Sequence, residues 1–228
     1  MNLAQQLING LVLGSGYALV AIGWTVLLGA ARLVNFAHGQ LYMLGAFVAW
    51  AVMHKLGVSY YLAVPLAVLA LGLLGVLLQV MMLPLVMQQN LTSLMIVTLG
   101  FGYVFTGGAS KIFGGDPQSF VSPLTAASIR FGEVWFTWAD VVTLVGTLIL
   151  FALLWLVLNR TRTGAIVRSV AEDPKLAQLF GINAAFVYIG VFVFECAAVA
   201  LGAGLVAPRS PILTSMGFDE VILTFVIV

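Results

Sequence analysis

Residues 56–110 read LGVSYYLAVPLAVLALGLLGVLLQVMMLPLVMQQNLTSLMIVTLGFGYVFTGGAS, a run without one Asp, Glu, Lys or Arg. A helix needs about 20 predominantly apolar residues to cross about 30 Å of hydrocarbon, each residue adding about 1.5 Å of rise. The run is too long for one crossing and holds two, broken at Met87-Gln88-Gln89-Asn90, where three amides follow one another. Outward from it, further charge-free runs cover 1–31, 33–54, 141–159, 176–194 and 196–208. Together they predict spans over 6–29, 36–54, 60–86, 91–110, 138–158 and 184–207, with a seventh opening near Asp219. Unsatisfied backbone groups are costly in lipid, so only helices or a closed barrel can span it. These runs lack the alternation of a barrel strand. The fold class is all-α: a polytopic transmembrane helical bundle of about six full spans and an incomplete seventh, forming one domain over 1–228.

Composition excludes other classes. Of 228 residues, 62% are apolar and 7% charged, against about a quarter charged in an ordinary soluble domain. Nine basic and eight acidic side chains leave a net charge of +1, which supplies no electrostatic footprint for nucleic acid. Cys196 has no second cysteine to pair with, and with only His38 and His54 beside it no Cys/His zinc site is available. No cofactor or metal is expected. The first apolar stretch lacks the basic start and short core of a secretory signal, so it reads as a retained helix.

Short loops rich in Lys and Arg stay cytoplasmic. Arg160, Arg162, Arg168 and Lys175 crowd the 159–183 segment, which is placed inside. Counting outward puts Arg32 inside, and Lys55, the 111–137 loop, Arg209 and the N-terminus outside.

Within this frame a few residues stand out. Helix 1 carries Gly10, Gly14 and Gly16, small residues that let helices approach closely in lipid; packing inside one bundle and a dimer seam are both open readings. Asn35, His38, Gln40 and Tyr42 form a polar cluster entering an apolar run. Such groups face protein, a water-filled cavity or the interface, so they serve either as a helix cap and packing contacts or beside a solute path or gate. Glu195 falls mid-span, where an ionisable group marks a solute or proton path or is held by a hydrogen bond from a neighbouring helix. In the inside loop, Gly164 precedes a helix over Ala165–Glu172; Asp173 is an N-cap with Pro174 at the first helical position, and Gly181 is a left-handed stop. Between them Leu176, Leu179 and Phe180 make an apolar stripe beside Lys175 and Gln178. Such a helix can lie on the membrane, pack on its own bundle or enter a partner's groove. Phe113-Gly-Gly-Asp-Pro-Gln118 is turn chemistry, without the strand and the Lys-Ser/Thr of a phosphate loop. No nucleophile, base and orienting group assemble into a catalytic constellation.

Four stretches share one order and spacing: Leu13-Gly-Ser-Gly-Tyr-Ala-Leu19, Val34-Asn-Phe-Ala-His-Gly-Gln-Leu-Tyr-Met-Leu-Gly-Ala46, Phe113-Gly-Gly-Asp-Pro117 and Ala171-Glu-Asp-Pro-Lys-Leu-Ala-Gln-Leu-Phe-Gly-Ile-Asn183. In combination they resemble the branched-chain amino-acid ABC importer permeases of the LivH type, over nearly the whole chain. The resemblance implies a subunit of the bacterial inner membrane that performs no chemistry itself. It works with a second permease, two cytoplasmic ATP-binding subunits and an external solute-binding protein. It also implies that Asp173, Pro174, Leu176, Leu179 and Gly181 shape a coupling helix, with Arg160, Arg162, Arg168 and Lys175 around it. The chain departs from the pattern at Gln40, where many relatives carry Glu; at Pro84–Asn90, which lacks basic residues; and at Glu195, where a small residue is usual. Relatives continue past the point matching Val228, so a shortened C-terminus is expected. A permease for urea or short amides shares the motifs. From other classes, an autonomous carrier or channel using Glu195 and His38 predicts flux without ATP, and a membrane scaffold predicts assembly without a transport role.

Overall fold

A computed structural model describes residues 3–88, 90–119, 122–126, 128–131 and 134–218. Six long helices stand where the charge-free runs place them: α1 (Leu3–Ala31), α2 (His38–Leu56), α3 (Tyr60–Met87), α4 (Leu91–Phe113), then, after a short α5 (Pro123–Ala126) and two strands, α6 (Trp138–Arg160) and, after α7 (Arg162–Glu172) and α8 (Pro174–Leu179), α9 (Ala184–Val206). Five of the six are long and apolar enough to cross a membrane, the last counted through Arg209. The exception is α2, whose polar residues lower its hydropathy. It lies inside the bundle against α3, α4 and α9, with His38, Gln40, Leu41, Met43, Ala46 and Phe47 all buried. The seventh span expected near Asp219 lies outside the described residues.

The helix ends follow local chemistry. Asn90 accepts from Ser93 N at 3.1 Å and starts α4 where the three amides break the run. Thr137 and Asp140 form a reciprocal capping box at the start of α6. The 111–137 loop carries more structure than turn chemistry alone predicts: β1 (Ser128–Phe131) pairs antiparallel with β2 (Val134–Thr137). Ser-Ile-Arg-Phe and Val-Trp-Phe-Thr flanking Gly132-Glu133 are the β-branched and aromatic signal for such a pair.

Several contacts gather one face of the bundle. Gln5 exchanges two 2.9 Å hydrogen bonds with the Trp135 backbone. The Lys55 ammonium lies 5.7 Å from the Phe113 ring centroid, and Gln118 pairs with Ile212. A guanidinium nitrogen of Arg209 sits 3.0 Å from Asp140 Oδ1 and 3.0 Å from Thr143 Oγ1, tying the end of α9 to the start of α6. At the opposite face Arg32, Val170, Pro174 and Tyr188 line a common cavity of about 180 Å³. The N-terminus, Lys55, the 111–137 loop and Arg209 thus share one face, and Arg32 shares the other with the 159–183 segment.

Helix α9 is the axis of the packing, in contact with α1, α2 and α3. Close approach rests on absent side chains: a Cβ on Gly75 would fall 2.9 Å from Cys196 Sγ, and one on Gly23 would fall 3.1 Å from the Glu195 carbonyl oxygen. Packing of α1 inside the bundle differs from the reading of its first glycines. A Cβ on Gly10 or Gly14 would meet nothing within 4 Å, whereas one on Gly16 would lie 3.1 Å from Val206 Cγ2. The first two stay exposed and lie beyond the level of Gly16, which packs on Val206 at the end of α9.

Candidate functional site

The α1–α2 connection turns back into the bundle. Helix α1 closes with Arg32 N donating to Leu28 O at 3.0 Å, and Arg32 has φ of 51°, the left-handed region that a non-glycine residue adopts only when held there. Residues 33–35 have no regular structure and α2 begins at His38. Gly23 packs on the Glu195 backbone, and α1 runs about 12 Å past that depth before it ends. His38 nevertheless reaches Glu195, so the chain re-enters the bundle as unwound backbone and α2 starts beside the middle of α9.

That start is held by one carboxylate oxygen. Glu195 Oε1 accepts from Asn35 Nδ2 at 3.0 Å, and His38 Nδ1 lies 2.8 Å from the same atom; with its proton on Nδ1 the imidazole donates. All three side chains are 0% exposed. Asn35 Oδ1 also accepts from Ala37 N at 3.0 Å, one residue ahead of α2, so the asparagine organises the approach to the helix as well as binding Glu195. The His38 ring lies 5.0 Å from the Trp24 ring. From α4, Thr98 Oγ1 accepts the Phe36 N–H at 3.2 Å. Three elements therefore converge on residues 35–38.

Polar capacity is left over. Glu195 Oε2, His38 Nε2 and Gln40 Oε1 are buried without a hydrogen-bond partner among the described residues. Gln40 lies against α4, its Oε1 being 3.4 Å from where a Gly102 Cβ would stand. Tyr42 is buried one turn further into α2.

A second segment reaches the same helix start from the other face. After pairing with Gln118, the chain beyond Ile212 runs inward. A Cβ on Gly217 would lie 2.7 Å from Gly39 O and 2.9 Å from Gln40 N, and the Phe218 ring lies 6.1 Å from that of Tyr103. Of the sequence candidates, Asn35, His38 and Glu195 come together here; Gln40 and Tyr42 are buried further along α2, on nearly opposite sides of the helix. Thr98 and Gly217 carry no sequence signal, because one of three threonines in α4 and a glycine shortly after the Thr214-Ser215 turn are ordinary on their own.

The second cluster is the α7–α8 corner. Gly164 fits directly against the last carbonyls of α6, and Thr161 caps α7 by accepting from Gly164 N at 3.1 Å, so α7 begins at Arg162, three residues ahead of the expected Ala165. Asp173 Oδ1 accepts from Lys175 N at 2.8 Å and from Leu176 N at 3.0 Å, Pro174 opens α8, and Gly181 takes φ of 81°. Ala177 is buried and anchors the turn, whereas Leu176, Leu179 and Phe180 are exposed, Leu179 by 84% and Phe180 by 80%. Arg160, Arg162, Arg168 and Lys175 are exposed around them.

Known proteins resemble this chain in sequence over most of its length. The chain is 31% identical over 215 residues to the high-affinity branched-chain amino acid transport system permease protein BraD of Pseudomonas aeruginosa, covering 88% of this chain and 69% of that protein. To the corresponding LivH permease of Escherichia coli (strain K12) it is 29% identical over 216 residues, with the same shares covered. To a probable LivH permease of Methanocaldococcus jannaschii it is 25% identical over 222 residues, 93% of this chain and 69% of that one. No solved structure matches it. Residues 6–228 match the family described as branched-chain amino acid transport system / permease component. With nearly its whole length matched, this polytopic helical chain belongs to that permease family.

Proposed function

We propose that the chain is one permease subunit of an ATP-driven importer and forms part of the translocation path for branched-chain or similar hydrophobic amino acids. It carries no catalytic site of its own. Two ATP-binding subunits hydrolyse ATP at the face bearing α7 and α8, a second permease completes the path, and a solute-binding protein delivers the ligand at the opposite face. In this arrangement the 159–183 face is cytoplasmic, the N-terminus is outside, and the membrane is the bacterial inner membrane.

The observation that carries the reading is the start of α2 inside the bundle. Unwound backbone at membrane depth is tolerated where protein buries it or where it lines a cavity, and interrupted helices near the midplane mark transport sites. Here irregular residues 32–37 lead into Gly39 from one face, and residues 210–215 lead from the other into a helical turn at 216–218 whose Gly217 packs on Gly39. Asn35, His38 and Glu195 fix the inner segment, and Gly217 closes the outer one. Rigid movement of α8 under a partner ATPase reaches this point through Ala177 and α9, whose mid-helix carboxylate holds the start of α2. Access then alternates as the two segments part in turn.

The test is uptake of labelled leucine into proteoliposomes carrying the chain with the subunits that co-purify from its native membrane. ATP-dependent, binding-protein-dependent uptake is expected; flux through the purified chain alone, indifferent to ATP, overturns the proposal. A substitution addresses the path itself. Gly217→Val places side-chain atoms on the Gly39 carbonyl, and overpacking of this kind costs about 1–3 kcal/mol, so uptake is expected to fall about tenfold while the subunits still co-purify. Unchanged uptake by that variant removes Gly217 from the path.

A further inference from the structure

A groove of about 540 Å³ runs between α1, α6 and α9 and is closed at one end by α7; its lining is apolar and includes Leu150, Leu154, Leu158, Val187, Gly190 and Phe194. A second hollow of about 290 Å³ adjoins it through the shared residues Val26, Leu154, Leu158 and Val167, and its far wall includes Trp155, Asn159 and Arg168. We propose that the joined groove is a binding site for an anionic phospholipid, with acyl chain along α6 and α9 and phosphate at Arg168.

The dimensions match one leaflet. The α6 residues that line the groove run from Leu150 to Asn159, about 15 Å of helix, which is half of a hydrocarbon core of about 30 Å. The helix then ends in Arg160, where headgroups begin. The charge also fits. Arg160, Arg162 and Arg168 are exposed at this end, and none of the three forms an ion pair among the described residues. A phosphate supplies the missing anion in a form a guanidinium binds through paired N–H groups, and basic pockets between helices at the membrane surface bind anionic headgroups. The depth of the groove comes from two glycines rather than from loose packing: a Cβ on Gly29 or on Gly190 would meet nothing within 4 Å. Gly190 on α9 opens into the larger groove and Gly29 on α1 into the adjoining hollow. The proposal does not depend on the transport reading, because it commits only to which end of the groove meets the headgroups.

Trp155 provides the readout. The chain with its co-purified partners is placed in phosphatidylcholine nanodiscs containing a trace of phosphatidylglycerol with brominated acyl chains, or the same amount of brominated phosphatidylcholine. The Trp155 signal is taken as the difference from Trp155→Phe. Phosphatidylglycerol is expected to reach half-maximal quenching at about fivefold lower mole fraction, the effect of one basic residue on an anionic lipid. Arg168→Gln is expected to bring the two lipids together. Gly190→Leu sets its Cβ where nothing lies within 4 Å, extends an apolar side chain into the groove and favours the helix; it is expected to abolish low-mole-fraction quenching by both lipids while the elution volume stays unchanged. Equal quenching by the two lipids in the unaltered chain overturns the proposal. So does absence of quenching because a partner helix or a further segment of chain covers Trp155, which crosslinking from Gly190→Cys identifies.

Discussion

Glu195→Leu is expected to destabilise the bundle by about 2–6 kcal/mol and to abolish uptake, whereas Glu195→Gln is expected to leave both nearly unchanged. The reasoning starts from atom counts. Glu195 Oε1 alone receives Asn35 Nδ2 and lies against His38 Nδ1, and Oε2 has no partner among the described residues. A glutamine keeps an Oε1 that accepts from both donors and exchanges one buried unpartnered polar group, Oε2, for another, its amide nitrogen. A leucine of similar bulk leaves two buried donors unpaired, at about 1–3 kcal/mol each. Because those donors hold residues 35–38, the loss is felt where α2 starts and not only as a lower melting temperature. Thermal unfolding in detergent, followed beside ATP-driven uptake, separates the outcomes. If the glutamine variant unfolds as early as the leucine variant, hydrogen bonding is not what the carboxylate supplies. If it melts normally but fails to transport, Glu195 acts through its charge, and the alternative of a relay with His38 gains the ground.

The long helices were legible because charge is so sparse that its absence marks each span within a few residues of where the structure ends it. The α8 corner was legible for a different reason: Asp173, Pro174 and Gly181 each perform a local task, and cap, first-turn proline and left-handed stop need nothing distant to define them. The candidate site was half legible. Asn35, His38 and Glu195 each read as costly in lipid, but their sequence separation of 160 residues hid that they satisfy one another. The depth of α2 was not legible at all. Hydropathy gives a length of chain, and nothing in residues 32–37 says that the chain turns back before forming the next helix; the tertiary bond to α9 decides it. Gly10 and Gly14 show the converse, a packing pattern that the sequence presents and this chain's own bundle leaves uncovered.

That contrast also separates what α7 and α8 do. Their buried residues, Val170 and Ala177, belong to the same core as α9, so the corner moves with the bundle and not as a loose loop. Arg162, Arg168 and Glu172 lie on the outer surface of α7, while α8 turns its apolar residues outward. A charged segment that is rigidly seated and yet exposes its largest apolar side chains has the form of an interaction surface.

Leu179→Asp is therefore expected to weaken capture of the ATP-binding subunits about thirtyfold and to reduce uptake accordingly, with insertion of the chain unaffected. Leu179 is 84% exposed and Phe180 80%, so neither contributes to the bundle's own core, and a charge at 179 leaves the fold untouched. In a partner's groove the same side chain is an anchor, and loss of an anchor of this kind costs about 2 kcal/mol or more, which is about thirtyfold in affinity. Two comparisons make the result specific. Leu179→Met keeps an apolar anchor of similar volume and is expected to capture the subunits normally. Gln178→Asp adds the same charge one residue away, off the stripe formed by Leu176, Leu179 and Phe180, and is expected to change capture by less than about threefold, within the small range of non-anchor interface positions. Quantitative pull-down from detergent, with membrane insertion checked by protease protection of the 159–183 segment, distinguishes the cases. Equal loss in the two aspartate variants assigns the effect to charge near Arg162 and Lys175. Normal capture by Leu179→Asp removes α8 from the contact and leaves the arginines of α7 as the surface through which ATP-driven motion enters the bundle.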